Sequence, residues 1–117
     1  EAVLALPDDA DVALHLGRLL LTQPARTRDA IPYLEQAVAG ITDDPGVRAD
    51  LAGAYLDCDE HELAEEQLRL NLNHPEARAG SLYQLGLLRE EQGRTEEAEE
   101  FFREAHAADP SFPAPGD

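Results

Sequence analysis

The stretch of this chain whose residue types could do metal or redox chemistry is Asp57-Cys58-Asp59-Glu60-His61-Glu62. It offers a thiol, an imidazole and several carboxylates. The spacing fits neither of the ions such donors suggest. A closed zinc site draws on paired Cys and His ligands, and no second Cys or His pair stands nearby. A calcium loop alternates its oxygen ligands around a central Gly, which is missing here. The stretch therefore reads as a polar turn between helices. His15, His61, His74 and His106 are scattered, with no pair at the spacing that places two ligands on one helix face. There is no Gly-rich phosphate loop and no nucleophile elbow. Glu96, Glu97, Glu99 and Glu100 look like paired carboxylates for acid–base work. In the first turns of a helix they instead oppose the positive end of its dipole and face water, with Glu99 near Arg103. The expectation is a chain with no catalytic residue, no metal and no cofactor, and not an enzyme.

Composition narrows the remaining classes. The 117 residues carry a net charge of −16, with nine arginines and no lysine against 25 acidic groups. Such a surface has no cationic patch to displace phosphate counterions, so nucleic acid is not expected as a partner. An anionic membrane is disfavoured for the same reason. The charge keeps helix faces solvated and would steer a basic partner inward. No run approaches membrane-spanning length and no signal peptide appears, so a cytoplasmic location is expected. The chain begins at Glu1 and contains no methionine, as an excised segment of a larger, bacterial-type protein would.

What must position any functional side chain is visible in residues 79–110. Leu82, Leu85, Gly86 and Leu88 give one helix an apolar stripe, and Ala98, Phe102 and Ala105 give another. The pattern recurs upstream. Leu34, Leu68 and Phe102 lie 34 residues apart, as do Ala30, Ala64 and Ala98. A hairpin of this size cannot bury its own apolar flank, so neighbours must stack, and about three units are needed.

A helix-turn-helix period of this length, with W-x2-L-G-x2-Y, then Ala-x3-Phe, then Pro, is the pattern of the tetratricopeptide repeat, which this chain resembles. The third copy carries Leu82, Leu85-Gly86, Ala98, Phe102, Ala105 and Pro110, and departs at Arg89 where Tyr is usual. The second has Leu51-Ala52, Tyr55, Ala64 and Leu68, with Arg48 at the Trp place and Asn71 where Ala is usual. The first has Leu16-Gly17, Leu20, Ala30, Leu34 and Ala37. The resemblance implies an all-α fold, a right-handed α-solenoid of three hairpins over residues 8–110, at about 10–44, 45–78 and 79–110. Residues 1–7 then read as the end of a preceding repeat helix closed by Pro7, and 111–117 as a proline-rich flexible tail.

Within the hairpins, the first helices are expected near 9–22, 45–57 and from Pro75. The second helices are expected near 29–39, 62–73 and up to Ala108. Leu16 to Leu51 is 35 residues, one more than the period, so an extra residue sits in the turn around Thr22–Arg26. Pro32 is tolerable if its helix starts near Asp29, and Gly40 closes that helix. Asp44-Pro45 reads as an N-cap followed by Pro at the first helical position. Asp59 stands where the third copy has Gly93, a place for left-handed backbone, and Thr95 reads as a cap.

Turning each first helix away from its core stripe gives Leu14, Arg18 and Leu21, then Ala49, Gly53 and Leu56, then Tyr83, Leu87 and Glu90. His15, Asp50 and Gln84 run beside them. In tetratricopeptide proteins the first helices line a concave groove that takes peptides or partner helices, so the resemblance implies a non-catalytic protein–protein interaction module with these residues as its peptide site. Tyr83 and Leu87 are the expected anchors. The two-carboxylate clamp of the family is not matched, since Arg18 is the only cation in the central columns. An apolar or basic segment is the expected ligand, with Arg18 available for one carboxylate. The alternatives are self-association, as a homodimer through the last repeat where Phe101 and Phe102 adjoin, or an accessory domain of a larger enzyme.

Overall fold

In the computed structural model, residues 7–41 and 43–115 are described. The expected end of a preceding helix, residues 1–6, lies outside them. Six α-helices follow one another with no strand among the described residues: α1 (Ala10–Leu21), α2 (Thr27–Gly40), α3 (Pro45–Asp57), α4 (His61–Asn71), α5 (Pro75–Glu91) and α6 (Thr95–Ala108). The chain divides into two compact units, Glu1–Glu60 and His61–Asp117. The division falls inside the second expected repeat, between α3 and α4.

In the first unit, α1 starts because the Asp9 side chain accepts from the free N–H groups of Asp11 and Val12, which lack intrahelical partners. Asp44 does the same for α3, accepting from Gly46 and Val47 ahead of Pro45 at the first position. The α1–α2 pair closes tightly at Gly17. A Cβ there would sit 2.8 Å from Leu34 Cδ2, so only glycine admits the Leu34 side chain at this approach. Ala13, Ala37 and Val47 form a buried cluster that draws Leu14, Val38 and Ile41 against it. Pro7 is tied down through its carbonyl, which accepts from Gln36 Nε2 on α2.

The turn with the extra residue contains a single 3-10 turn, Pro24–Arg26. It leads into α2 two residues earlier than expected, at Thr27, whose Oγ1 donates to the Pro24 carbonyl at 3.1 Å. Pro32 is therefore the sixth residue of α2, inside the helix rather than in its first turn. The helix forgoes the hydrogen bond to the Arg28 carbonyl and keeps the proline ring exposed, the arrangement in which ring and backbone conflict least. Gly40 closes α2 as expected, being its last residue, and its lack of a side chain makes room for Ala10, whose Cβ lies 2.6 Å from where a Gly40 Cβ would be.

In the second unit, α5 and α6 approach through Gly86, where an added Cβ would lie 2.5 Å from a Phe102 ring atom. Leu82, Leu85, Leu88, Ala98 and Ala105 are buried, as the stripe requires. Gly93 has φ 78° in the turn between these helices, and Asp59 has φ 60° at the matching place one period earlier. Both occupy the left-handed region expected of them. Thr95 is the first residue of α6 rather than its cap; Arg94 holds the cap position without a side-chain bond. Asn71 is fully buried at the end of α4, and its backbone carbonyl accepts from the His74 N–H at 3.1 Å.

Candidate partner-binding faces

The first unit brings its two sets of candidates together through one ion pair. Arg18 Nε on α1 lies 2.5 Å from Asp50 Oδ2 on α3. Arg18 is thus engaged by Asp50 within the unit while half of its side chain stays exposed. Half-exposed Asp50 has the charge to hold the guanidinium, and the pair spans the two first helices. Leu14 leans into the Ala13–Ala37–Val47 cluster and is half-buried. Ala49 and Leu56 are half-buried too. Gly53 differs from Gly17 in that nothing lies within 4 Å of the place its Cβ would take. Leu21 lines an open depression of about 530 Å3 with Thr27, Arg28, Asp57 and Cys58, beside the enlarged turn.

Gly53 gives a direct check on this geometry. A mid-helix glycine is less favourable than alanine by about 1 kcal/mol, and here an alanine Cβ meets no neighbour within 4 Å. Gly53→Ala is expected to raise the urea midpoint with an unchanged slope; a lower midpoint would show that the space is occupied.

The third set lies on α5 in the second unit. Leu87 is 39% exposed and Glu90 is exposed, while Gln84 is half-buried. Tyr83 is not a free anchor. Its ring stands 5.3 Å from Phe102 and 5.4 Å from Phe112, measured between centroids. Phe112 belongs to the segment expected to be a flexible tail, and sequence reasoning assigned it no contact. The signal was present as an aromatic residue two places after the helix-ending Pro110. Phe101 and Phe102, expected to leave the last hairpin sticky, are both engaged within the unit: Phe102 fills the Gly86 notch, and Arg89 Cζ lies 5.8 Å from the Phe101 ring centroid.

Arg89 is the other residue whose role the sequence did not disclose. Its side chain is only 9% exposed and reaches Glu65 on α4 through Nη2 at 2.8 Å and Glu97 on α6 through Nε at 3.0 Å. The Arg89 guanidinium, helped by Arg69, holds the Glu65 carboxyl down at about 2 despite partial burial. Glu65 in return raises the pKa of Arg89. One period earlier, Tyr55 on α3 donates its hydroxyl to Glu35 on α2 at 2.5 Å. In both places the helix reaches back to a carboxylate on the helix before it. No helix among the described residues is long and apolar enough to cross a membrane.

Comparison with known proteins agrees with this architecture. No curated protein sequence matches the chain. Two crystal structures of MamA superpose on it with TM-scores of 0.79, each at 24% identity, covering 91% of this chain and 61% and 57% of theirs. The chain thus spans about three fifths of those chains, and at this identity the likeness is one of all-α fold. A tetratricopeptide repeat family model matches residues 21–85, and another matches residues 79–112. The first of these alone takes in more than half of the sequence, and the 34-residue spacing of its buried Leu and Ala positions gives the match a physical basis. The chain belongs to the tetratricopeptide repeat family.

Proposed function

We propose that the chain is a non-catalytic protein-interaction module that takes an apolar or basic segment, as an extended peptide or a partner helix, on the outward faces of its first helices. The observation that carries this reading is the open space at Gly53, with half-buried Ala49 and Leu56 on the same helix and a self-neutralised Arg18–Asp50 pair beside it. Partly buried apolar groups next to unfilled space gain from being covered. The ion pair supplies polarity without leaving a free charge that would select an acidic ligand. The net charge of −16 favours a basic segment over an acidic one by long-range attraction. In the second unit, half-exposed Leu87 on α5 is an apolar contact of that unit's own face.

Panning a random peptide library against the full chain tests the reading. Enriched peptides are expected to be apolar with Lys or Arg. Their affinity for Gly53→Trp is expected to fall by about tenfold or more, as loss of a well-packed interface contact does, with no loss of helicity or melting temperature. Enrichment of acidic peptides, or unaltered binding to Gly53→Trp, would overturn it.

A further inference from the structure

We infer that the α5–α6 cleft of the second unit is a binding site for an extended segment bearing phenylalanine, and that the chain's own Phe112 occupies it in cis. The cleft recognises one residue at two points. Its walls are aromatic. Tyr83 lies between Phe102 at 5.3 Å and Phe112 at 5.4 Å, with ring planes inclined by 47° and 39°, the tilted geometry that ring quadrupoles favour. Phe112 reaches α5 at Gly80: its Cζ lies 3.9 Å from where a Gly80 Cβ would be, ordinary van der Waals distance. The second point is polar. His106 Nδ1 lies 2.8 Å from the Phe112 carbonyl oxygen. A carbonyl only accepts, so His106 carries a proton on Nδ1 and donates it to this bond. A ring slot with a donor for the same residue's backbone carbonyl is the recognition an extended peptide needs.

The strap that delivers Phe112 is short. After α6, the Phe112 N–H donates to the Asp109 carbonyl at 3.0 Å and the Ser111 N–H to Asp109 Oδ1 at 3.0 Å, which turns the chain back on itself. Phe112 remains only half-buried. An occupant held by one ring, one hydrogen bond and a tight turn is replaceable. Its advantage over a segment in trans is its effective concentration. A partner segment with Phe at this place would displace it and uncover Tyr83. That last consequence rests on the proposed role of the α5 face; the cleft itself rests on the contacts of Phe112 alone.

The probe is a labelled peptide of the chain's own residues 108–117, ADPSFPAPGD, titrated by fluorescence anisotropy against the full chain and against Phe112→Ala. The variant is expected to bind at least about tenfold more tightly than the unaltered chain, because the cis competitor is gone. Binding is expected to vanish when the peptide's Phe is replaced by Ala, and to weaken when His106→Leu is added. Equal affinity for both proteins, or no binding to a Phe112→Ala variant with unaltered circular dichroism, would overturn the inference. If Phe112→Ala does not fold, Phe112→Leu keeps an apolar contact without the ring stacking, and the same titration decides. The library experiment on Gly53→Trp reads the first unit, so failure there and failure here are separable.

Discussion

Gly86→Ala is expected to destabilise the protein by about 2 kcal/mol, the range for forcing extra volume into a packed interior. That lowers the melting temperature of a chain of this size by roughly 10 °C. The added Cβ would meet Phe102 ring atoms at 2.5, 2.7 and 3.0 Å. The ring cannot yield easily, because Tyr83 stands on it. Alanine's better helix propensity, worth about 1 kcal/mol, works in the opposite direction and is outweighed. The same substitution at Gly53 has that gain and no clash, so the two variants are expected to differ in sign. Thermal melts of the pair, run side by side, read the difference. Equal shifts would mean that α5 and α6 do not close through the Gly86 notch.

Arg89→Ala is expected to cost about 2–3 kcal/mol, somewhat less than the loss of one partner from a fully buried pair. The discount follows from the carboxylates: Glu97 is half-exposed and Glu65 keeps Arg69 at 2.8 Å, so both can rehydrate or find another partner. Arg89→Tyr is expected to recover part of the loss, since Tyr55 one period earlier donates to a carboxylate on the preceding helix in the same way. The pair also fixes an acid dependence. The Glu65 pKa falls from 4.5 to about 2 on folding, so the folded state holds its carboxylate more firmly than the unfolded one. The stabilisation is complete above the unfolded value and is lost as pH falls toward 2. Urea midpoints between pH 5 and pH 2.5 are expected to drop less steeply for Glu65→Gln than for the unaltered chain. Parallel slopes would remove Glu65 from the account.

The repeat was legible because it rests on spacing. Leu34, Leu68 and Phe102 recur with the period, and the first two are fully buried. Turn chemistry was equally readable. Asp44 caps, Pro45 opens a helix, and Asp59 and Gly93 take left-handed backbone because their positions in the period demand it. What spacing could not disclose was partnership between side chains distant in sequence. Arg18 stood alone among the candidate positions as a free cation until Asp50, 32 residues on, took it. Arg89 read as a defect in the pattern, whereas Glu65 and Glu97 make it a tie across three helices. Gly40 ends its helix as its place in the sequence indicates, but the close approach of Ala10 that also requires glycine there left no mark in the spacing. The face on α5 was drawn without Phe112, since a proline-rich segment gives no periodic sign of where it lands.

The arginines have a collective consequence. Arg18, Arg26, Arg48, Arg69, Arg89 and Arg94 each hold a carboxylate of the same molecule. Little positive charge is then left over for the outside, while the surplus acid of a −16 chain points into solvent. Two molecules meeting in dilute buffer push each other apart well before their surfaces touch, over a reach of about 10 Å at 0.1 M salt. Crowding the solution with sodium chloride removes that cushion. Colloidal interaction measured by light scattering would swing from repulsive toward attractive, at ionic strengths that leave the tightly enclosed Arg89 tie almost untouched.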